Sequence, residues 1–204
     1  MEVGNLPANL RSTEVMLYEM KEGLNAYLAT LGPGARMKTL PDLIKFNEDN
    51  WAKEMPLFGQ QRFSQAQAKG PLTDQAYLDA LAACRRVTRQ ETIDGLMEKH
   101  SLDALVSIAA APAGLISSAG APDPVFGEKG PTGGGSGAAA IAGYPSVTVP
   151  AAQMRGLPVG ILFFGRAWSD AKLLALAADF EAGARARVEP QFRPTIERVV
   201  PGLN

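Results

Sequence analysis

One cysteine and one histidine, Cys84 and His100, are all that this 204-residue sequence holds of either type. A lone cysteine excludes an internal disulfide, and with a single histidine beside it leaves no ligand set for a structural zinc. Charge of one sign is lacking too. The 20 basic and 21 acidic residues give a formal net charge of -1, and no basic stripe gathers, so the electrostatic footprint of a nucleic-acid partner is missing. No apolar run reaches the ~20 residues of a membrane-spanning helix. The opening Met1-Glu2-Val3-Gly4-Asn5 is too polar for a secretory leader, and the expected location is cytoplasmic. What is plentiful is ordinary: 46% hydrophobic and 20% charged residues describe a chain that folds around a core rather than a disordered one. The length suits one domain, or at most two small ones.

The pattern of elements is helical first and mixed later. Residues Glu2 to Arg11 precede a helix that Ser12 or Thr13 would cap, carrying Leu17, Met20, Leu24, Tyr27, Leu28 and Leu31 on one face until Gly32 and Pro33 stop it. Thr39-Leu40-Pro41-Asp42 is a second start signal, with Asp42 three residues after the cap; that helix is expected to reach Trp51 and Met55 before Pro56. Thr73 is placed to cap the longest helix, Asp74 to about Lys99, with Cys84 on its apolar side and Lys99 and His100 at its carbonyl end. Mid-helix burial argues against a nucleophilic Cys84. A catalytic His100 lacks a matching nucleophile turn, since Ala138 breaks the Gly-x-Ser-x-Gly pattern.

Asp103 to Ile108 reads as a short buried strand before Pro112. From Ala113 to Gly137 the composition turns to Gly, Pro, Ser and Ala, a long loop. Its Gly-rich end lacks the Lys-Ser/Thr of a phosphate cradle. Ser146 to Val149 alternates hydroxyl and apolar side chains between Pro145 and Pro150, and Val159 to Phe164 is a continuous apolar run; with Arg155-Gly156 between them they should pair as a hairpin. Ser169 then caps a helix with Leu173, Leu176, Ala177, Phe180 and Ala184 on its apolar stripe. Asp179, Glu181, Arg185 and Arg187 read as a solvated face. Pro190 to Asn204 is an irregular tail. The fold class is α/β.

Several stretches carry a resemblance. Ala142 to Ala151 (Ala-Gly-Tyr-Pro-Ser-Val-Thr-Val-Pro-Ala), Gly156 to Gly165 and Ala167 to Leu174 resemble the carboxy-terminal end of the amidase signature enzymes, most closely the branch containing peptide amidase. Leu17 to Leu28, Asp42 to Asn47 and Phe58 to Gln60 extend the likeness upstream, so that it covers nearly the whole chain. It implies that residues 1–204 are the carboxy-terminal portion of an amidase signature domain, a mixed β-sheet covered by α-helices, with the helical cover at 12–100 and the sheet and terminal helix at 101–204. It further implies a parent enzyme that hydrolyses a carboxamide C–N bond with a serine, cis-serine, lysine triad, without metal or organic cofactor, on a small amide or peptide amide. The lysine and the Gly/Ser signature of that triad are not found here. Ser136, in Gly133 to Gly137, has no partner serine beside it, so no catalytic residue carries over and the chain alone is expected to be inert.

Five residues are candidates for the substrate pocket. Phe58 and Gln60 fall where the resembling enzymes approach the substrate funnel; the alternative is a loop and short helix whose aromatics pack inward while glutamines face solvent. Gly134, Gly135 and Ser136 fall where the family's loop borders the acyl pocket, offering backbone amides and a hydroxyl; the alternative is a plain linker. A different class of reading stays open as well: a non-catalytic truncated protein, or a subunit paired with a catalytic chain. A cut central sheet would expose a strand edge, and self-association through that edge is expected.

Overall fold

The computed structural model describes residues 6–7, 10–56, 59–110, 134–154 and 156–189. Two layers follow from the sequence order. The first is helical: α1 (Ser12–Thr30), α2 (Leu40–Asp49), α3 (Trp51–Glu54), α4 (Gln61–Gln67) and α5 (Gln75–Arg85), then a π-helical segment (Arg86–Ile93) and α6 (Asp94–Lys99). The second holds β1 (Leu105–Ile108), α7 (Gly134–Ala142), β2 (Ser146–Met154), β3 (Leu157–Phe164) and α8 (Asp170–Ala184).

Helix starts obey local chemistry unevenly. Thr39 and Asp42 form the expected capping box, each side chain bonded to the other's backbone N–H. Ser12, Thr13 and Thr73 do not cap. α1 begins at Ser12 itself with Arg11 before it, and Asp74, not Thr73, precedes α5. The Asp74 carboxylate is instead drawn into the helical layer, where it accepts from the Tyr18 hydroxyl at 3.1 Å. Beside it Tyr77 donates to Glu19 at 2.9 Å, Lys69 bonds Glu14 at 2.8 Å, and the Tyr18 and Tyr77 rings lie 5.4 Å apart. These pairs fasten α1 to α5. Asn50 interrupts the second expected helix, dividing it into α2 and α3. α1 stops at Thr30, before Gly32 and Pro33, as expected.

The expected helix from Asp74 to Lys99 is one continuous helical run, but its middle is π-helical. Thr92 donates through its hydroxyl to the carbonyl of Val87, five residues back. The wider turn explains why the buried positions step from Thr88 to Ile93 by five rather than three or four. Gly95 is required at its exit, because a Cβ there would sit 2.4 Å from the Gln90 carbonyl oxygen.

Among the described residues the sheet has three strands, all antiparallel, in the order β1-β3-β2. β2 and β3 form the expected hairpin across Gly156. Central β3 is covered on both sides: Leu162 and Phe164 join a core with Ile93, Met97, Leu105, Ala138, Ala139 and Ala142, while Phe163 faces Leu173 and Ala177 of α8. Four expectations are corrected. Pro150 does not end its strand; β2 continues past it with an irregular register between Pro150 and Ala152, tolerated because β2 is an edge strand with no ladder bond to lose. The first strand is half-buried: Leu105 is 5% exposed, but Val106 and Ile108, on the face that α8 leaves open, are 54% and 45% exposed. Gly134 to Gly137 are not loop; they form the first turn of α7, in which Ala138, Ala139 and Ala142 are fully buried and Ala140 is exposed. Ser169 sits at the N-cap of α8, yet its hydroxyl donates to the Arg166 carbonyl instead of capping. Residues 1–5 and the tail from Pro190 lie outside the described residues.

Gly95→Ala should cost about 1–3 kcal/mol from the forced clash, whereas Gly23→Ala on the open face of α1 should gain about 0.5–1 kcal/mol; urea unfolding followed by circular dichroism measures both, and equal effects would remove the structural meaning of the π exit. A second expectation concerns pH. The Asp42 carboxyl is held below the usual carboxylate range, first by the Lys38 N–H and then by the Thr39 side chain. A lowered folded-state pKa stabilises above the unfolded value and loses that contribution as pH falls through the folded one. The stability difference between the native chain and Asp42→Asn should therefore be present at neutral pH and vanish in acid; a difference independent of pH contradicts it.

Candidate functional site

The π segment turns Arg89 toward the end of α7. Its Nε donates to the Ala142 carbonyl at 2.8 Å, satisfying one of the carbonyls that a helix end leaves without an intrahelical partner. The guanidinium carbon then lies 5.2 Å from the centre of the Tyr144 ring. Tyr144 donates its hydroxyl to Asp94 at 2.7 Å, and Arg166 donates to the Asp94 carbonyl at 3.3 Å. Burial, then the Asp94 carboxylate, push the Tyr144 phenol above its ordinary pKa, so it is a neutral hydrogen-bond donor at physiological pH.

Arg89 forms a wall between two cavities. One, of about 650 Å³, lies among α1, α5, the π segment and α7, with Met16, Met20, Leu81, Cys84, Arg85 and Ile141 on its surface. The other, of about 460 Å³, is bounded by Arg89, Tyr144, Pro145, Ala167, Trp168 and Asp170. Trp168 is the outlier here: φ is +65° and the residue is 92% exposed.

Of the residues singled out from sequence, Gly134, Gly135 and Ser136 open α7 at the end away from Arg89, with Ser136 exposed. Gln60 is half-buried and its carboxamide is occupied, accepting from Asn47 Nδ2 and donating to the Ile44 carbonyl, both at 3.1 Å. It borders a cleft of about 510 Å³ with Glu48, Met55, Gly59 and Ser64. The structure thus keeps Gln60 with α2 and α4 and does not bring it to Gly134–Ser136. Phe58 lies outside the described residues.

Cys84 is 1% exposed, and burial followed by the Glu19 carboxylate pushes its thiol up, the reverse of what a nucleophile needs. His100 is exposed at the end of α6. Among the described residues no cluster of histidine, cysteine and acidic side chains has metal-binding geometry, and no helix is long and apolar enough to cross a membrane. The Arg89 arrangement escaped sequence reasoning because its segment reads as the polar face of an α-helix. The five-residue step from Thr88 to Ile93 was the available signal.

No family model matches the chain. Relatives and solved structures do. A probable amidase of Arabidopsis thaliana is 30% identical over 179 residues, covering 87% of this chain and 30% of that protein. The native peptide amidase of Stenotrophomonas maltophilia is 40% identical, with a TM-score of 0.76 across 92% of this chain and 36% of its own. The peptide amidase structure with the competitive inhibitor chymostatin matches at 41% identity and a TM-score of 0.76, over 91% of this chain and 36% of that one. The chain spans about a third of the length of the relatives it matches. With that identity, that shared fold and the Ala-Gly-Tyr-Pro hairpin in place, the chain is similar over about nine-tenths of its length to peptide amidases of the amidase signature family.

Proposed function

We propose that residues 1–204 are the carboxy-terminal part of an amidase that hydrolyses a carboxamide C–N bond. The observation that carries this reading is the 40% identity to peptide amidase sustained over 92% of the chain. In such a reaction a serine oxygen bonds to the substrate carbonyl carbon, the C–N bond breaks, and the amine leaves with a proton relayed through a second serine from a lysine; water then releases the acid. That triad would lie in the part of the fold these residues do not span. The chain would then contribute strands, covering helices and a border of the acyl pocket at Gly134, Gly135 and Ser136, with Phe58 and Gln60 toward the funnel, and would be inert by itself. A small amide or peptide amide is the proposed substrate; the chymostatin complex of the related peptide amidase supports a peptide-like ligand.

A second reading is favoured by β1. Among the described residues its outer edge has no strand beside it, and its half-exposed Val106 and Ile108 suit a non-catalytic chain or subunit that self-associates or pairs with a catalytic chain.

Purified alone, the chain should turn over none of a panel of peptide and aryl amides, and a fluorophosphonate probe should leave Ser136 unlabelled by mass spectrometry; turnover with stoichiometric labelling of Ser136 overturns the reading. Light scattering should show the mass rising with concentration, and Val106→Lys with Ile108→Lys should return it to monomer while circular dichroism stays unchanged. A native chain that is monomeric at every concentration rules out association through β1.

A further inference from the structure

The cavity between Arg89 and Trp168 has features that the amidase reading does not use. Arg89 is half-buried, and no carboxylate stands within ion-pair distance of it among the described residues. Asp94, the acidic group of the network, accepts from the Tyr144 hydroxyl at 2.7 Å. The bond to Ala142 occupies only Nε. Among the described residues neither Nη group has an acceptor, and the guanidinium is already held in place by the helix end and the tyrosine ring. A partly desolvated cation with a fixed fork and, among the described residues, no counter-ion is suited to a planar anion bound by two parallel hydrogen bonds. Gly143, in the left-handed region with φ +67°, also lines the cavity.

The opposite wall gives the rest of the ligand. A tryptophan in the left-handed region is strained, and among the described residues Trp168 recovers none of that by burial, being 92% exposed. Its ring is a flat apolar surface presented beside a cation. Asp170 also borders the cavity, and its negative charge opposes a dianion more strongly than a monoanion, which selects carboxylate over phosphate.

We infer that the cavity bounded by Arg89, Tyr144, Trp168 and Asp170 is a binding site for a carboxylate joined to a flat apolar group, the guanidinium holding the carboxylate and the indole stacking on the group. Two sources share this chemistry, a free aromatic acid and the carboxy terminus of a peptide ending in an aromatic residue.

The chain has two tryptophans, so Trp51→Phe, on α3 and away from the cavity, leaves Trp168 as the only indole reporter. Titration of that variant with N-acetyl-phenylalanine should change its emission saturably, and the neutral N-acetyl-phenylalaninamide should bind at least ~10-fold more weakly. Arg89→Lys, which keeps the charge but loses the fork, should weaken the acid by about 10-fold. Trp168→Gly, which suits the left-handed backbone, should retain the fold and lose binding by calorimetry. Benzoate binding as well as N-acetyl-phenylalanine assigns the site to free aromatic acids, and exclusive binding of the latter to peptide termini. Absence of saturation, or equal affinity for acid and amide, overturns the inference. None of these readouts involves amide hydrolysis, so the outcome is separate from that of the function proposed above.

Discussion

Three alanines set how closely the two layers meet. Ala138, Ala139 and Ala142 are each 0% exposed, and because a methyl is all they place between backbones, α7 lies close to the sheet on one side and to the π segment on the other. Ile93 and Met97 from the helical layer, and Leu105, Leu162 and Phe164 from the sheet, complete the same core. Larger residues at these alanine positions would move α7 away from its neighbours, and the Arg89 bond to Ala142 depends on that nearness. The polar network around Tyr144 is thus a consequence of apolar packing. It decorates the edge of a core that small side chains made possible.

Structure and comparison bear on function at different levels. By fold and identity the chain is similar to peptide amidase over most of its own length, at about a third of its relatives' length. The site chemistry within the described residues is of another kind: donors, an aromatic plate and a half-buried neutral phenol, with the only cysteine raised in pKa by burial. Such groups bind and position. The amide chemistry itself is proposed for another part of the fold.

How much the sequence disclosed depended on the range of the interactions involved. The Thr39–Asp42 box, the stop at Gly32 and the β2–β3 hairpin are settled by residues within a few positions of one another, and all were readable. The burial of Cys84 followed from helical spacing. What escaped was decided at a distance. Asp74 was drawn to Tyr18, 56 residues away, so Thr73 was not needed as a cap. α7 looked like loop because glycine and alanine carry no periodic signal, and its helicity becomes visible only against the surfaces it fills. The half-exposure of β1 depends on where α8 ends its coverage, which no local pattern records. Arg89 combined both difficulties, a change of helical pitch and a partner 53 residues on.

The strand register has a consequence for the order in which the molecule assembles. β2 and β3 are joined by a tight turn and need only local closure, whereas Ile108 must find Ile161 across 53 intervening steps of chain. Local pairs form quickly and distant ones wait on loop closure. A newly made chain therefore presents its hairpin early, with the β1 side of β3 vacant until the first strand returns to it. During that interval the apolar run from Ile161 to Phe164 lies at an open edge, and it is at this stage of biogenesis, more than in the finished fold, that the chain is most exposed to pairing with the wrong neighbour.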